Sequence, residues 1–395
     1  MLSMRSSSVE IIPLLEPSIT GNEWKYIKGC LDTGWVSSVG NYVNRFEEVV
    51  ADYVGCKCGI AVVNGTAALH LSLIACEVKS GDEVIVPSLT FVATANVVKY
   101  CGAEPIFIDC DNDTLCLDVE KLKLFLEMEC IQKEDRYTYN KVSKRRVKAI
   151  IPVHVFGHPV EMDALLELCQ LYNIDVIEDA TESLGSEYKG KRAGSFGKLS
   201  CLSFNGNKII TTGGGGMVVT NDEYLAGRIK HLSTQAKNDS IEYDHNEIGY
   251  NYRLTNIQAA MGVAQMENLD KFVAAKRKNA LRYQELFSGS NGLEFLWEKP
   301  WVMSNFWFYT VKVSKDHKKL LIDYLISENI QVRPIWKPIH TLPMYESCQA
   351  YKIENTMNIY DTAFNLPCSV SLKVNDIDFI VENIEHYFSS KGMDT

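Results

Sequence analysis

The sequence predicts an α/β protein with a large, mostly parallel sheet domain followed by a smaller C-terminal α+β domain. Short runs of Val and Ile alternate with segments of helical periodicity through the first half of the chain. These runs are apolar at nearly every position, which is typical of strands covered by helices on both faces of a sheet. The length of 395 residues suits two domains, which we place at 1–265 and 266–395.

The predicted elements of the large domain follow one another with short turns between them. Thr20 and Glu23 have the spacing of a capping box that opens a helix, and Gly34 supplies its end. The chain then predicts, in order, a helix over 43–53, a strand over 60–63, a helix from 66, a strand ending at 86, a helix from about 93, and helices over 121–128, 164–172 and 221–231. A charged, basic segment near 129–147 interrupts this alternation. We interpret it as a surface insertion, with a solvated hairpin as the alternative.

The C-terminal part has strands and helices of its own, which is why a second domain is predicted. A long helix over 255–287 leads into it. After this helix come a strand in FWFYTVKV, a helix over 316–328 and a closing helix from 374.

Composition excludes several classes of function. The formal net charge of -10 argues against a nucleic-acid partner. No apolar run approaches membrane-spanning length, so no membrane partner is expected. The twelve cysteines are scattered without paired C-x-x-C spacing, which favours reduced thiols in a cytoplasmic protein. His154 and His158 lie in a loop without a third ligand nearby, and we expect no metal site.

Polar and aromatic residues follow the predicted strands at the points where those strands end. Asn64, Phe91, His154, Asp179 and Ser203 each come directly after such an apolar run. The carboxyl ends of parallel strands meet at one edge of a sheet, and ligands bind there. The strand, the Asn64 turn and the following helix N-terminus also form an anion site, because free backbone N–H groups and the helix dipole favour phosphate. The sequence therefore predicts a ligand site at this edge.

The segment SCLSFNGNKIITTGGGG, residues 200–216, offers a reactive amine. Lys208 has Ile209 and Ile210 on its C-terminal side, and burial there would lower its pKa and favour the neutral amine. The four glycines let backbone approach a ligand or another backbone segment closely. The alternative is a surface lysine beside a flexible turn.

These residues suit a phosphorylated pyridine aldehyde, which needs an amine, a carboxylate, an aromatic cover and a phosphate cup. Lys208 offers the amine, Asp179 a carboxylate for the ring nitrogen, and Phe91 a stacking ring. The phosphate cup would come from the N–H groups of Gly65, Thr66 and Ala67 and the hydroxyls of Thr66 and Ser203. Alternatives remain: Asp179 as a strand-end cap, Phe91 as a core residue and Ser203 as a turn residue.

Six motifs carry a family resemblance: NGTAALHLSL, PSLTFVATANVV, PVHVFGHPVEMD, VIEDATESLG, SFNGNK with its glycine run, and GYNYRLTNIQAA. In this order they resemble the DegT/DnrJ/EryC1/StrS family of pyridoxal-phosphate-dependent nucleotide-sugar aminotransferases, of the fold type I (aspartate aminotransferase-like) class. The resemblance implies Lys208 as the lysine that bonds to the cofactor, Asp179 as the partner of its ring nitrogen and Phe91 as its stacking ring. It implies Gly65, Thr66 and Ser203 as phosphate ligands.

The same resemblance implies a homodimer with active sites at the interface, because Asn251 matches an asparagine lent to the neighbouring subunit's phosphate. Two cofactor-site positions depart from the family pattern. Glu182 stands where Gln is common, close to the ring hydroxyl, and Asn205 stands where His is common.

The resemblance implies amino transfer from L-glutamate to a nucleotide-linked 4-keto-6-deoxy sugar. The segments TGWVSSVGNYVNRFE and RPIWKPIH resemble those of UDP-4-keto-6-deoxy-N-acetylhexosamine aminotransferases of the legionaminic-acid group. GDP- and dTDP-sugars remain alternatives, as do a dehydratase on the same cofactor and a non-catalytic sensor. The residues implied to contact nucleotide or sugar are Arg333, Trp336, His340, Trp35, Ser37 and Gln235.

Overall fold

An eight-stranded sheet forms the centre of the protein in the computed structural model, which describes residues 11–239, 241–288 and 292–391. Within these ranges the strands are β1 (Cys58–Val62), β2 (Glu83–Pro87), β3 (Glu104–Ile108), β4 (Cys130–Gln132), β5 (Thr138–Asn140), β6 (Val147–Ile150), β7 (Asp175–Asp179), β8 (Glu187–Tyr188), β9 (Lys191–Arg192), β10 (Leu199–Ser203), β11 (Gly216–Thr220), β12 (Leu293–Phe295), β13 (Val302–Met303), β14 (Tyr309–Val313), β15 (Arg333–Pro334), β16 (Ala350–Tyr351) and β17 (Ala363–Leu366).

The α-helices of the same ranges are α1 (Glu23–Thr33), α2 (Asn41–Val54), α3 (Gly65–Ala75), α4 (Ala93–Tyr100), α5 (Val119–Glu129), α6 (Met162–Leu171), α7 (Glu223–Ser233), α8 (Asn256–Met266), α9 (Leu269–Phe287), α10 (Lys315–Ser327), α11 (Asn355–Thr362) and α12 (Val374–Ser390). Short 3₁₀ turns cover Val155–Gly157 and Ile339–Thr341.

The strand order of the central sheet is β1-β11-β10-β7-β6-β2-β3-β16. From β10 to β16 every neighbouring pair is parallel, whereas β11 is antiparallel to both β1 and β10. β1 therefore runs in the same direction as the parallel strands. The carboxyl ends of β1, β2, β7 and β10 consequently lie along one edge, as the sequence predicts.

Helices cover both faces of this sheet. Along β10 and β11, alternate side chains enter two different apolar clusters: Cys201 and Val218 pack with α3, α4 and α7, while Leu202 and Met217 pack with α2, α8 and α9. Alternate strand residues point to opposite faces, so both sets must be apolar. This layering confirms the predicted α/β fold class.

The second, smaller sheet has the antiparallel order β12-β14-β17-β15 and packs with α9, α10 and α12. The chain crosses between the two sheets more than once. β16 returns to pair with β3 of the central sheet, and Ile12, near the start of the described chain, bridges to Ile330. The division at 265/266 stays a prediction.

Local differences from the predicted elements have identifiable causes. The predicted helix over 255–287 is two helices, α8 and α9, separated at Glu267 and Asn268, where Asn268 leaves helical geometry with φ -116° and ψ 0°. The predicted capping box at α1 does not form, because Glu23 accepts a hydrogen bond from the Gly21 N–H, one residue beyond the predicted Thr20. The basic segment forms the β4–β5 hairpin, so the hairpin interpretation is correct.

Within the described ranges no helix combines the length and the apolar character needed to cross a lipid bilayer.

Candidate active site

A cavity of about 420 Å³ opens at the carboxyl edge of the central sheet. Its walls come from the ends of β1, β7 and β10, from the loop that joins β10 to β11, and from β15 of the smaller sheet. The predicted site residues that line it are Gly65, Thr66, Phe91, Asp179, Glu182, Ser203, Asn205, Lys208, Arg333 and Trp336. The fold thus brings most of the predicted site together, across a sequence distance that the motifs alone do not bridge.

Lys208 reaches this cavity from the β10–β11 loop and is only 11% exposed. Its Nζ lies 3.7 Å from Glu182 Oε1 and 3.7 Å from the centre of the Trp307 ring. Burial lowers the pKa of the Lys208 amine, while the negative charges of Glu182 and Asp179 oppose that change. The alternative of a solvated surface lysine is therefore wrong.

Two buried carboxylates flank the lysine. Asp179, the last residue of β7, accepts hydrogen bonds from the Thr94 hydroxyl at 2.9 Å and the Thr181 N–H at 3.2 Å. Glu182 is 3% exposed, and its Oε2 accepts from the Phe156 N–H at 2.8 Å. Burial raises the pKa of the Glu182 carboxyl, against the opposing positive charge of Lys208.

The N-terminus of α3 provides an anion cradle. The N–H groups of Gly65 and Thr66 are the first two of the helix and have no acceptor within it. A Cβ at position 65 would lie 3.0 Å from the Ser203 Cβ and 3.1 Å from the Thr181 Cγ2, which shows how closely these side chains approach the cradle.

Ala67 differs from the other predicted phosphate ligands. Its N–H donates to the Asn64 Oδ1 cap at 2.7 Å, so that donor is already used inside the protein. The glycine run packs against the protein itself: a Cβ at Gly216 would lie 2.4 Å from the Asn64 carbonyl carbon. Gly216 therefore lets β11 pass directly under the turn that forms the cradle.

Phe91 is 54% exposed and its ring centre lies 6.4 Å from that of Trp336. The alternative of a core role for Phe91 is wrong, and its face is available for stacking. Arg333 is exposed at the rim of the cavity, and no ion pair to it exists within the described ranges. Asn205 also lines the cavity, with its Nδ2 3.3 Å from the Asn207 Oδ1.

The remaining predicted substrate residues lie outside this cavity. Trp35 lines a separate cavity of about 770 Å³, and the Ser37 carbonyl accepts from the Asn256 N–H at 2.6 Å. Gln235 lines another, of about 610 Å³, with φ +66°. Asn251 is exposed beside Thr234, to which its backbone bridges.

His340 contacts the protein and not the cavity. Its Nδ1 lies 2.6 Å from the Ser88 Oγ, and the neighbouring Ile339 N–H donates to the Ser88 carbonyl. These bonds tie the RPIWKPIH segment to the end of β2. The predicted nucleotide contact of His340 stays a prediction.

Thr90 and Trp307 are among the cavity residues that were not singled out from the sequence. Thr90 is 1% exposed, and its hydroxyl has no hydrogen-bond partner among the residues that the structure describes. Trp307, in the SNFWFYTV segment, covers one side of Lys208. The position of Thr90 directly before the predicted site residue Phe91 could have indicated it. Nothing in the sequence places Trp307 against a lysine almost a hundred positions earlier.

This donor set fits a phosphorylated pyridine aldehyde. The cavity holds a shielded amine, a buried carboxylate, an exposed aromatic face and two N–H groups without acceptors at a helix N-terminus. The orphaned Thr90 hydroxyl is a further observation, because buried hydroxyl groups ordinarily have a partner. An amine, a carboxylate and an anion cradle in one cavity are the groups that such a cofactor requires.

Comparison with known proteins identifies a family that the site residues fit. The model of the DegT/DnrJ/EryC1/StrS aminotransferase family matches residues 17–385. The GDP-perosamine synthase of Escherichia coli O157:H7 is 40% identical over 385 residues, with 97% of this chain and 100% of the relative covered. The UDP-4-amino-4,6-dideoxy-N-acetyl-β-L-altrosamine transaminase of Campylobacter jejuni is 32% identical over 351 residues, with 87% and 89% covered.

Solved structures of related enzymes superpose over nearly the whole chain. Helicobacter pylori PseC, an aminotransferase involved in the biosynthesis of pseudoaminic acid, has a TM-score of 0.87 at 26% identity, covering 96% of this chain and 100% of its own. The PLP form of the putative sugar aminotransferase Spr1654 from Streptococcus pneumoniae also has a TM-score of 0.87, at 25% identity, with 96% and 99% covered.

The chain therefore belongs to the DegT/DnrJ/EryC1/StrS aminotransferase family, and its cofactor is pyridoxal phosphate. The predicted family, fold type and cofactor are confirmed.

Proposed function

We propose that this aminotransferase moves an amino group from L-glutamate to the 4-keto carbon of a nucleotide-linked 4-keto-6-deoxy sugar. The observation that carries the proposal is the shared cavity, which the shielded side chain of Lys208, the carboxylate of Asp179 and the exposed side chain of Arg333 all line. The GDP-perosamine synthase and the UDP-sugar transaminase named above support it, since both are sugar-nucleotide enzymes by name.

The roles of this chain's residues follow from their positions. Bound pyridoxal phosphate supplies an aldehyde and an electron-withdrawing ring. Lys208 would bond to this aldehyde through its amine and, once free, would take the proton from the donor carbon and return it. Asp179 keeps the ring nitrogen protonated, because its buried carboxylate favours a positive partner. Gly65, Thr66 and Ser203 hold the phosphate, and Phe91 stacks on the ring.

Arg333 provides the attraction for an anionic substrate. The protein has a formal net charge of -10, so an exposed guanidinium at the cavity rim creates a local positive region on a negative surface. A guanidinium binds a diphosphate with two hydrogen bonds and a full charge. Trp336, close to Phe91, offers an aromatic face for the base or the sugar.

The nucleotide has two candidates. The sequence segments at Trp35 and Arg333 favour UDP-4-keto-6-deoxy-N-acetylhexosamine, and the transaminase from Campylobacter jejuni supports it. GDP-linked sugar is the second candidate, favoured by the higher identity to the GDP-perosamine synthases of three bacteria. We propose cytoplasmic synthesis of a surface-glycan precursor in either case.

We propose further that the enzyme is a homodimer in which Asn251 reaches the phosphate of the neighbouring subunit. Asn251 is exposed and lies outside the cavity of its own chain. Arg253, two residues later, is fixed by an ion pair of 2.6 Å to the buried Glu47 and a hydrogen bond of 3.0 Å to the Ala61 carbonyl, so this loop is held in a defined position.

The first experiment is an absorbance spectrum of the protein with pyridoxal phosphate, before and after addition of L-glutamate. We expect a visible band that bleaches to the pyridoxamine form. The bleached protein is then mixed with the UDP- and GDP-keto sugars, and the sugar that restores the band identifies the nucleotide. A band that does not bleach when L-glutamate is added would favour a dehydratase or a sensor.

Lys208→Ala tests the assignment of the nucleophile. We expect the variant to bind pyridoxal phosphate without the visible band and to lose turnover completely. Retained turnover would overturn the assignment. Lys198→Ala is the matched control, because Lys198 pairs with Asp175 at 2.8 Å at the opposite end of β7 and should not affect the band.

A further inference from the structure

We propose that Glu182 and Trp307 form a seat for the free ammonium group of Lys208, which holds the lysine whenever it is not bonded to the cofactor. The proposal builds on the proposed function, where Lys208 is released and must carry a proton. It concerns a state of the protein that can be measured without any substrate.

The seat has two walls at equal distance. Glu182 Oε1 and the centre of the Trp307 ring each lie 3.7 Å from the Lys208 Nζ. A carboxylate at this separation is an ion-pair partner, and an indole face within 6 Å attracts an ammonium group through its quadrupole. Both walls therefore favour the protonated lysine and not the neutral amine.

Each wall is fixed in place by its own hydrogen bonds. The Phe156 N–H holds Glu182 Oε2 at 2.8 Å, which leaves Oε1 to face the lysine. The Trp307 Nε1–H donates to the Asn207 carbonyl at 2.6 Å, so the indole is anchored to the residue next to Lys208.

One buried side chain joins the two walls. The Asn305 Nδ2 donates to the Glu182 carbonyl at 3.0 Å, and the Asn305 Oδ1 accepts from the Trp307 N–H at 2.9 Å. Asn305 is completely buried, and a Cβ on Gly157 would lie 2.0 Å from its Oδ1, so the amide packs directly against the Gly157 backbone. Hydrogen bonds within the protein thus hold both walls of the seat.

The charge of Glu182 is the distinctive part of the seat. An amide in its place would still accept the Phe156 hydrogen bond but would offer no negative charge to the lysine. Asp179 also acts on Lys208 from the same cavity. Glu16 and Lys276 line a small void beside Lys208, where the Lys276 Nζ donates to the Cys368 carbonyl.

The test measures the pH at which Lys208 becomes reactive in the full-length chain freed of cofactor. An amine-directed reagent is applied across a pH series, and modification of Lys208 is read by peptide mass spectrometry. Loss of the negative charge in Glu182→Gln should lower the half-reaction pH by about one unit. Glu182→Asp keeps the charge, so its half-reaction pH should return most of the way to the wild-type value. Lys189, exposed beside Asp163, is read in the same digest as an internal control.

Trp307 is tested in the same titration. Trp307→Phe keeps an aromatic face and should stay close to wild type, whereas Trp307→Leu should lower the half-reaction pH by a smaller amount than Glu182→Gln. An unchanged pH in Glu182→Gln, or a shift that Glu182→Asp does not restore, would overturn the proposal. Failure of the proposed function would instead show as the absence of a glutamate-sensitive band, which this titration does not use.

Discussion

Glu178 and Glu182 are buried glutamates four positions apart at the end of β7, and they differ in how many hydrogen bonds their carboxylates accept. Glu178 accepts hydrogen bonds from the Ser200 hydroxyl, from His154 and from the N–H groups of Gly194, Phe196 and Gly197. Glu182 accepts one hydrogen bond, from Phe156, and faces Lys208 across 3.7 Å.

The pKa values of the two carboxyl groups record this difference. Burial alone would raise both. At Glu178 the hydrogen bonds from His154 and from the backbone outweigh burial and lower the pKa to about 2. At Glu182 burial prevails and the pKa is raised. Glu178, which accepts five hydrogen bonds, therefore supports the fold, whereas Glu182, which accepts one from the backbone, has an oxygen left to face Lys208.

The largest effect is expected at the incompletely satisfied carboxylate of Asp179. Asp179→Asn should reduce kcat by about 10³-fold, or about 4 kcal/mol of barrier, because an amide cannot hold the ring nitrogen protonated. Thermal stability should change less than kcat, since the single amide oxygen can still accept from the Thr181 N–H while the Thr94 hydroxyl can turn to accept from the amide NH₂. Steady-state kinetics measure the change in kcat, and calorimetry measures the change in thermal stability. Asp175→Asn, at the start of the same strand, is the control and should leave kcat unchanged.

The fully satisfied carboxylate should show the reverse pattern. Glu178→Gln places an amide NH₂ against backbone N–H groups that can only donate, whichever way the amide is turned, and we expect a loss of about 3 kcal/mol in the free energy of unfolding. Denaturant unfolding of the holoenzyme measures it, with Glu182→Gln as the matched variant. An equal loss in both variants would mean that the two sites do not differ as described.

The pH dependence of stability sharpens the same comparison. A carboxyl whose pKa is lower in the folded state contributes stability above its ordinary pKa of 4.5, and this contribution is lost as the pH falls toward 2. The stability difference between wild type and Glu178→Gln should therefore shrink between about pH 4.5 and pH 2. A difference that is constant over this range would contradict the role given to the charge.

A smaller effect is expected where backbone, not charge, supports the site. A Cβ at Gly216 would lie 2.4 Å from the Asn64 carbonyl carbon and 2.7 Å from the Gly65 nitrogen. Gly216→Ala should cost about 2 kcal/mol of stability and weaken cofactor binding, because the cradle must shift. In the control Gly227→Ala no heavy atom lies within 4 Å, and a helix interior favours alanine. Equal melting temperatures for the two variants would refute the packing argument.

The smallest effect is expected at the hydroxyl without a partner. Thr90→Val should leave stability unchanged or raise it by less than about 1 kcal/mol, because a buried unpaired hydroxyl stabilises nothing. Cofactor binding should weaken about tenfold if the hydroxyl serves the ligand. The control is Thr211→Val, which removes a hydroxyl with two partners and should lower stability. A marked stability loss in Thr90→Val would show that the hydroxyl serves the fold.

The sequence predicted the parts of the site that depend on local pattern. Lys208, Asp179 and the Gly65–Thr66 turn were found because each follows an apolar strand in a recognisable motif. His340 and Ala67 show what a pattern leaves out, since the His340 ring bonds to Ser88 and the Ala67 N–H bonds to Asn64, while their predicted ligand contacts stay predictions. A motif records which residue is present and not which donor the fold has already used.

The sequence by itself determined the layered α/β architecture, the common edge at which the parallel strands end, and the presence of an amine and a carboxylate there. These follow from periodicity and from short-range order, which each segment carries on its own. Only the tertiary structure decided that Trp307 covers Lys208, that Asn305 joins this tryptophan to Glu182, and that Glu178 is satisfied while Glu182 is not. The Asn305 contact to Glu182 spans 123 positions. The solvation of a buried charge depends on such distant partners, and packing alone assigns them.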